Sequence, residues 1–348
     1  MRRFAMSRKV TISDLARKLN ISPSTVSRAL AGKPGVSAEL RQKVQNLAKE
    51  MDYVPNVAAK SLKTKKTKTI GLIISDIRNP FFLDVMRGVE SVLFPRGYKF
   101  IVCSVNENLE REAVYLNWLM EHGVEGILAS PLTTVSGKHN GNLYRKVARF
   151  GIPVVFYDRL INGIGDFDSV VLDNETAIAD GVFYLRRKGH KKIGICLARR
   201  GLYTIEERYK GFKKAVELLQ IETRPEWIIE GKHPMYSSFE KLKKLFSSEE
   251  RPTAIISTNH PMTRSILRAA KSCGLRIPED ISVLGFDDLI ENELMSPPIT
   301  TIRQPVMEIG RIAVTLLLGR IDGEKESPSS IKLKAELIER ESVKTLVE

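Results

Sequence analysis

The sequence predicts a small all-α helix-turn-helix domain followed by a larger α/β part built from two doubly wound, parallel-sheet subdomains. Three observations predict it. Positive charge is concentrated at one end: residues 1–68 hold 16 Lys/Arg against four acids, and the rest of the chain holds 39 against 37. Short apolar periods, each opened by a capping residue, fill the first fifty positions. From Thr69 onward, apolar strand-like runs alternate with helical patterns.

The composition fits this plan. At roughly 100–200 residues per domain, 348 residues allow two or three domains. Apolar residues make up 43% and charged residues 28%, the balance of a globular chain. No apolar run reaches the ~18–20 residues of a membrane span. The basic start lacks the apolar stretch of a secretory signal, so a cytoplasmic protein with no membrane partner is expected. Cys103, Cys196 and Cys273 are odd in number and far apart, which suits buried reduced thiols rather than disulfides or a metal cluster.

Thr11, with Asp14 three residues on, reads as a capping box opening a helix whose apolar face is Ile12, Leu15, Ala16 and Leu19. Asn20 can adopt the left-handed conformation that ends it. Ser22 restarts the chain with Pro23 in the first helical position; Val26 and Leu30 face inward, and Gly32 stops this second helix. A third follows Ser37, with Leu40, Val44, Leu47, Ala48 and Met51 inward. Two short helices joined by a tight turn make a helix-turn-helix. The outer face of the second offers Ser24, Thr25, Ser27 and Arg28, groups suited to phosphates and base edges. Residues 56–63 have helical character but are too few to be stable alone, and the lysine-rich stretch that follows reads as a linker.

Strands are expected at residues 70–75, 98–105, 126–130 and 153–158, and again at 192–197, 227–230, 254–258 and 282–287. Helices are expected at 82–93, 176–188 and 208–219. In such sheets ligands bind at the carboxyl ends of strands, here in a cleft between two subdomains. Asn79, Phe81 and Phe82 follow the first strand, and Asp158-Arg159 end the fourth. Arg208 opens a helix, Asn259 and Asp287 end later strands, and Gln304 follows Thr300-Thr301-Ile302. Planar Arg, Asp and Asn groups with aromatic rings suit sugars. Taken singly, Phe81 or Phe82 could be core, and Asp158-Arg159 a surface pair. No phosphate loop, dinucleotide fingerprint, HExxH or GxSxG motif is present, so no enzyme, metal or cofactor is expected. His190, at a helix end, is assigned a structural role, with a cation there favouring the helix dipole.

Val10-Thr11-Ile12-Ser13-Asp14-Leu15-Ala16, Ser24 through Leu30, Tyr53-Val54-Pro55-Asn56 and Ala59-Lys60-Ser61-Leu62 resemble the LacI family of bacterial transcription regulators, and the likeness runs over nearly the whole chain after Arg8. The resemblance implies a periplasmic-sugar-binding-protein-like (type I) fold for the large part. It implies that the second helix enters the major groove, with Pro23, Ser24 and Arg28 at bases and Thr11, Ser22, Thr25 and Ser27 among the contacts. Pro23 departs from the longer polar residues some members carry. The same resemblance makes residues 56–63 a hinge helix that folds on DNA, contacting it through Asn56, Lys60 and Lys63, with Leu62 wedged into a central pyrimidine–purine step. It gives effector contacts to Asn79, Phe81, Phe82, Asp158, Arg159, Thr204, Arg208, Asn259, Asp287 and Gln304.

One departure stands out: His260 follows Asn259, where the family usually has an acid. Arg264 and Arg199-Arg200, expected near the cleft, permit an acidic effector such as a uronate or sugar phosphate; a solvated face is the plainer account. The resulting expectation is an allosteric, homodimeric repressor of a carbohydrate-use operon, bound to near-palindromic double-stranded operator DNA. A sugar-binding receptor without DNA function is the alternative. The expected boundaries are 8–55 for the DNA-binding domain, 56–68 for the hinge and linker, and 69–348 for the effector and dimerisation domain. Within the last, one subdomain takes about 69–168 and 297–326, the other about 169–296 and 327–348. The helix at 82–93 is expected at the dimer surface. The effector, the operator, inducer against corepressor action, dimer against tetramer, and Met6 as the true start stay open.

Overall fold

Thr11 opens α1 (Ile12–Leu19) with a reciprocal cap. Its hydroxyl accepts from the Asp14 N–H at 3.3 Å, and the Asp14 carboxylate accepts from the Thr11 N–H at 2.9 Å, satisfying two donors that no helical carbonyl can reach. Asn20 ends α1 in the left-handed region, φ 53°. Ser22 caps α2 (Pro23–Leu30), and Ser37 caps α3 (Ala38–Glu50). Leu15, Val26, Ala29 and Val44 are buried where the three helices meet. The computed structural model describes residues 10–54, 67–231, 238–324 and 326–346. It divides the chain into two units, Met1–Thr67 and Lys68–Glu348. The hinge candidates Asn56, Lys60, Leu62 and Lys63 lie outside the described residues.

In the second unit the chain runs β1 (Thr69–Ile74), α4 (Phe81–Leu93), β2 (Lys99–Ser104), α5 (Leu109–Glu121), β3 (Gly126–Ala129), α6 (Gly141–Arg149), β4 (Val154–Tyr157) and β5 (Asp168–Leu172). It continues through α7 (Asn174–Arg187), β6 (Ile193–Leu197), α8 (Tyr203–Leu218), β7 (Ile228–Glu230), α9 (Phe239–Phe246), β8 (Ala254–Ser257), α10 (His260–Ser272) and β9 (Ser282–Phe286). The last elements are α11 (Ile290–Leu294), β10 (Thr300–Arg303), α12 (Val306–Asp322), β11 (Ser330–Leu333) and β12 (Glu336–Ile338).

Two six-stranded sheets result, ordered β11-β5-β4-β3-β1-β2 and β12-β10-β9-β8-β6-β7. The order is the same in both. All pairings are parallel except β12 on β10, which is antiparallel. Sheet membership moves the expected subdomain limits. Strand β5 pairs with β4 in the first sheet, β10 pairs with β9 in the second, and β11 returns to the first. The crossings therefore fall after β5, β10 and β11, each several residues beyond 168, 296 and 326. Apolar periodicity identifies a strand; only its pairing says which sheet it joins.

Helices α4 and α12 cross on the first sheet through glycines. A Cβ on Gly88 would run into the Met307 carbonyl, and one on Gly310 into that of Val85. Gly88→Ala is expected to destabilise the chain by about 1–3 kcal/mol through overpacking, seen as a lower Tm; an unchanged Tm would mean the crossing yields freely. Phe82, expected in the ligand site, is instead 1% exposed in this core, edge-on to Phe81 and Tyr157. His190 is structural but not a cation. Fully buried between the Thr253 hydroxyl and the Lys344 carbonyl, it has its pKa pulled down to about 4 by burial. Cys103 and Cys196 are buried, and all three thiols are unpaired.

Candidate functional site

The carboxyl ends of strands from both sheets meet at one cleft. Nine of the ten residues expected there line it: Asn79, Phe81, Asp158, Arg159, Thr204, Arg208, Asn259, Asp287 and Gln304. Only Phe82 is absent. About 40 Å³ is free between the walls, room for about three waters.

The two sheets contribute related corners. Asp158 follows β4 and Asp287 follows β9, both in the left-handed region at φ 62° and 70°, which Asp tolerates better than most residues. Each backbone N–H still donates across to the neighbouring strand, to Val170 and Ile302 respectively. The turn aims each carboxylate into the cleft. Asp158 accepts from the Ser130 hydroxyl at 2.9 Å. Asp287 accepts from Gln304 Nε2 at 2.6 Å and from the His260 N–H at 3.0 Å. Burial raises the Asp158 pKa, against the nearby Arg159 and Arg208 charges.

Arg159 lies flat on Glu107. Its two terminal nitrogens donate to the two carboxylate oxygens at 2.8 and 3.1 Å, and one also donates to Ser75 Oγ at 3.3 Å. The side chains are 8% and 4% exposed. Burial alone would raise the Glu107 pKa, but the Arg159 charge and bonds outweigh it, with Arg199 adding at 3.4 Å, and hold it low. Burial alone would lower that of Arg159; Glu107 more than offsets this. Arg208 stacks on Phe286 at 3.7 Å and donates to Asn174 Oδ1 at 2.7 Å and to the Thr258 carbonyl. Burial lowers its pKa to about 10, opposed by Asp287 and Asp158.

Several placements differ from the sequence reading. Arg208 sits inside α8, which begins at Tyr203, because Thr204 and Ile205 are buried and carry the helix one turn earlier than their propensity suggests. Asn259 caps α10 through its side chain, accepting from the Met262 N–H at 3.0 Å. Arg264 faces away from the cleft, into a groove shared with Arg268 and Lys271. Arg200 is held by Glu206 and Glu230. The sequence reading missed Ser75, Asp76, Glu107, Ala198, Leu202 and Ile205 as lining residues. The strand-end rule could have found Ser75, Asp76, Glu107 and Ala198, which follow β1, β2 and β6; nothing local marks Leu202 and Ile205.

In the first unit, Thr11, Ser22, Pro23, Ser24 and Arg28 are exposed, and Thr25 and Ser27 half-buried. The Ser22 hydroxyl lies 2.7 Å from that of Ser24 and 2.8 Å from that of Thr25, so the start of α2 is a hydroxyl cluster with Arg28 further along. Exposed hydroxyls beside one long cation can bond phosphates and base edges. Among the described residues no helix is long and apolar enough to cross a membrane, and no side-chain cluster could hold a metal.

Residues 11–56 match the family described as bacterial regulatory proteins, lacI family, and residues 182–343 match the periplasmic binding protein-like domain. The HTH-type transcriptional repressor PurR of Serratia proteamaculans (strain 568) is 34% identical over 337 residues, 96% of each chain. The lac repressor dimer bound to operator and the anti-inducer ONPF superposes with TM-score 0.83 at 25% identity, covering 97% of this chain and all of that one. A periplasmic binding protein/LacI transcriptional regulator from Alkaliphilus metalliredigens QYMF, complexed with D-xylulofuranose, superposes with TM-score 0.68 at 28% identity, covering 79% of this chain and 99% of that one.

Proposed function

The chain belongs to the lacI family of bacterial regulatory proteins, and from that premise we propose that it is a cytoplasmic, homodimeric repressor of a carbohydrate-use operon. Residues 8–55 bind the operator, 56–68 form the hinge, and the two-sheet unit binds a sugar or sugar-derived effector that sets DNA affinity. One observation carries the reading: a single chain joins an exposed Ser/Thr/Arg helix face to a cleft in which two strand-end aspartates and two buried arginines converge. The relative with D-xylulofuranose and the relative bound to operator support its two halves. Relatives that are repressors support a binding protein rather than an enzyme.

One recognition helix spans only a few base pairs, so two copies on a near-palindrome are needed. The inner face of α4 is covered by α12, which leaves its outer face, with Leu83 half exposed, for a second protomer. Selection from a random duplex library is expected to enrich a near-palindromic site. On that site, Arg28→Ala should cost about 1–3 kcal/mol and relax one base position in each half. Failure to enrich any site would overturn the repressor reading. Equal loss on specific and random DNA would remove Arg28 from the readout.

A further inference from the structure

The cleft is lined by four carboxylates, those of Asp76, Glu107, Asp158 and Asp287, against two guanidiniums, Arg159 and Arg208. Asp76 is tied to Arg78 at 2.5 Å, and of the two cleft guanidiniums Arg159 alone is matched by a carboxylate, while Arg208 is held by neutral groups. Arg159 is held at both terminal nitrogens by Glu107, a partner 52 positions away and almost wholly buried. Arg199, outside the lining, also points at Glu107, at 3.4 Å. Arg208 gives its Nε to Asn174 and a terminal nitrogen to the Thr258 carbonyl, and one face to Phe286. The arginines outside the cleft that could have favoured an acidic ligand are elsewhere: Arg200 is tied to Glu206 and Glu230, and Arg264 lines another groove.

Building on the carbohydrate reading above, we infer that the cleft selects an uncharged polyhydroxyl ligand, and that Glu107 is the specificity residue that turns acidic sugars away. Carboxylates accept hydrogen bonds from hydroxyls and repel anions, and the repulsion is strong where burial keeps water and salt from screening it. A uronate or phosphate entering here meets Asp158 and Asp287 on opposite walls. It finds Arg159 already carrying a carboxylate in the two-pronged geometry that an acidic ligand would need. Displacing Glu107 would leave that carboxylate buried without its partner, which is costly. A neutral sugar has no such conflict, because its hydroxyls can donate to the aspartates and accept from the remaining arginine edges.

The test is calorimetric titration of the full-length protein with D-ribose, D-xylose and D-glucose, and with D-ribose 5-phosphate, D-glucose 6-phosphate and D-glucuronate. At least one neutral sugar is expected to bind, about a hundredfold or more tighter than its acidic counterpart. Tighter binding of an acidic member overturns the inference and leaves the carbohydrate reading standing. Binding of none of the six at millimolar concentration overturns that reading, and this inference with it. Glu107→Gln, which keeps the side chain's size but removes its charge, should narrow the gap at least about tenfold. A folded variant with an unchanged ratio removes Glu107 from the discrimination. The unsubstituted protein decides the ligand class even if that variant fails to fold.

Discussion

Asp287→Asn is expected to uncouple DNA binding from the effector while leaving operator affinity without effector unchanged. The residue occupies a left-handed corner that Asn also tolerates, so the backbone survives. The chemistry does not. The carboxylate accepts from Gln304 on one oxygen and from the His260 N–H on the other, whereas an amide can accept on one side only and must point an NH₂ group at the second donor. Losing a charged acceptor in a desolvated cleft costs about 2–3 kcal/mol, roughly thirty- to a hundred-and-fiftyfold in effector affinity. The residues proposed to contact DNA belong to a separate unit of the chain. The result should appear as an operator-binding curve that no longer shifts with effector. A normal shift, with normal effector affinity by calorimetry, would remove Asp287 from the site.

Stability of the large unit is expected to fall between about pH 5 and pH 7 because of one carboxylate. Glu112, on α5, is fully buried. It accepts from the Leu132 N–H at 2.9 Å, Asn140 Nδ2 at 2.8 Å and the Tyr144 hydroxyl at 3.0 Å, with no cation in contact. Burial raises its pKa to about 7, opposed by those three donors and by the more distant Arg159. A carboxyl whose pKa is higher folded than unfolded binds more protons in the folded state. Its stabilising contribution is therefore complete below the unfolded value near 4.5 and is lost as pH rises to about 7. The shift corresponds to something on the order of 3 kcal/mol. Glu112→Gln cannot ionise, so thermal melts at pH 5 and pH 8 should show the parent losing ground to the variant at the higher pH. Parallel behaviour of the two would mean that Glu112 does not titrate in this window. Glu112 ties α5 to the Leu132 loop and to α6, so the same titration should loosen that packing.

The small helical unit was legible almost to the residue. Thr11, Asn20, Ser22, Pro23 and Ser37 all act where the sequence places them, because caps and left-handed stops depend on neighbours three or four positions away. The eight expected strands are present, each within a residue or two of its expected limits. Four more were not read as strands: β5, β10, β11 and β12. The last two lie at sheet edges, half exposed, and carry little apolar signal.

The residue types that line the cleft were legible too, since Asp158, Asn259 and Asp287 follow apolar runs and strand ends are where such sheets place ligands. Their joint position was not. Whether Phe81 or Phe82 faces the cleft depends on which side of α4 packs on α12, and the rotation of about 100° between consecutive helical residues puts Phe82 into the core. The Arg159–Glu107 pair joins positions 52 apart, and Arg208 reaches Asn174 across 34. Local propensity, capping and the period of apolar burial act over one or two turns, so the sequence by itself determined the elements, the charge asymmetry and the candidate residues. Which strand joins which sheet, which cation meets which carboxylate, and how little room is left between them are long-range outcomes of pairing and packing. Those only the tertiary structure decided.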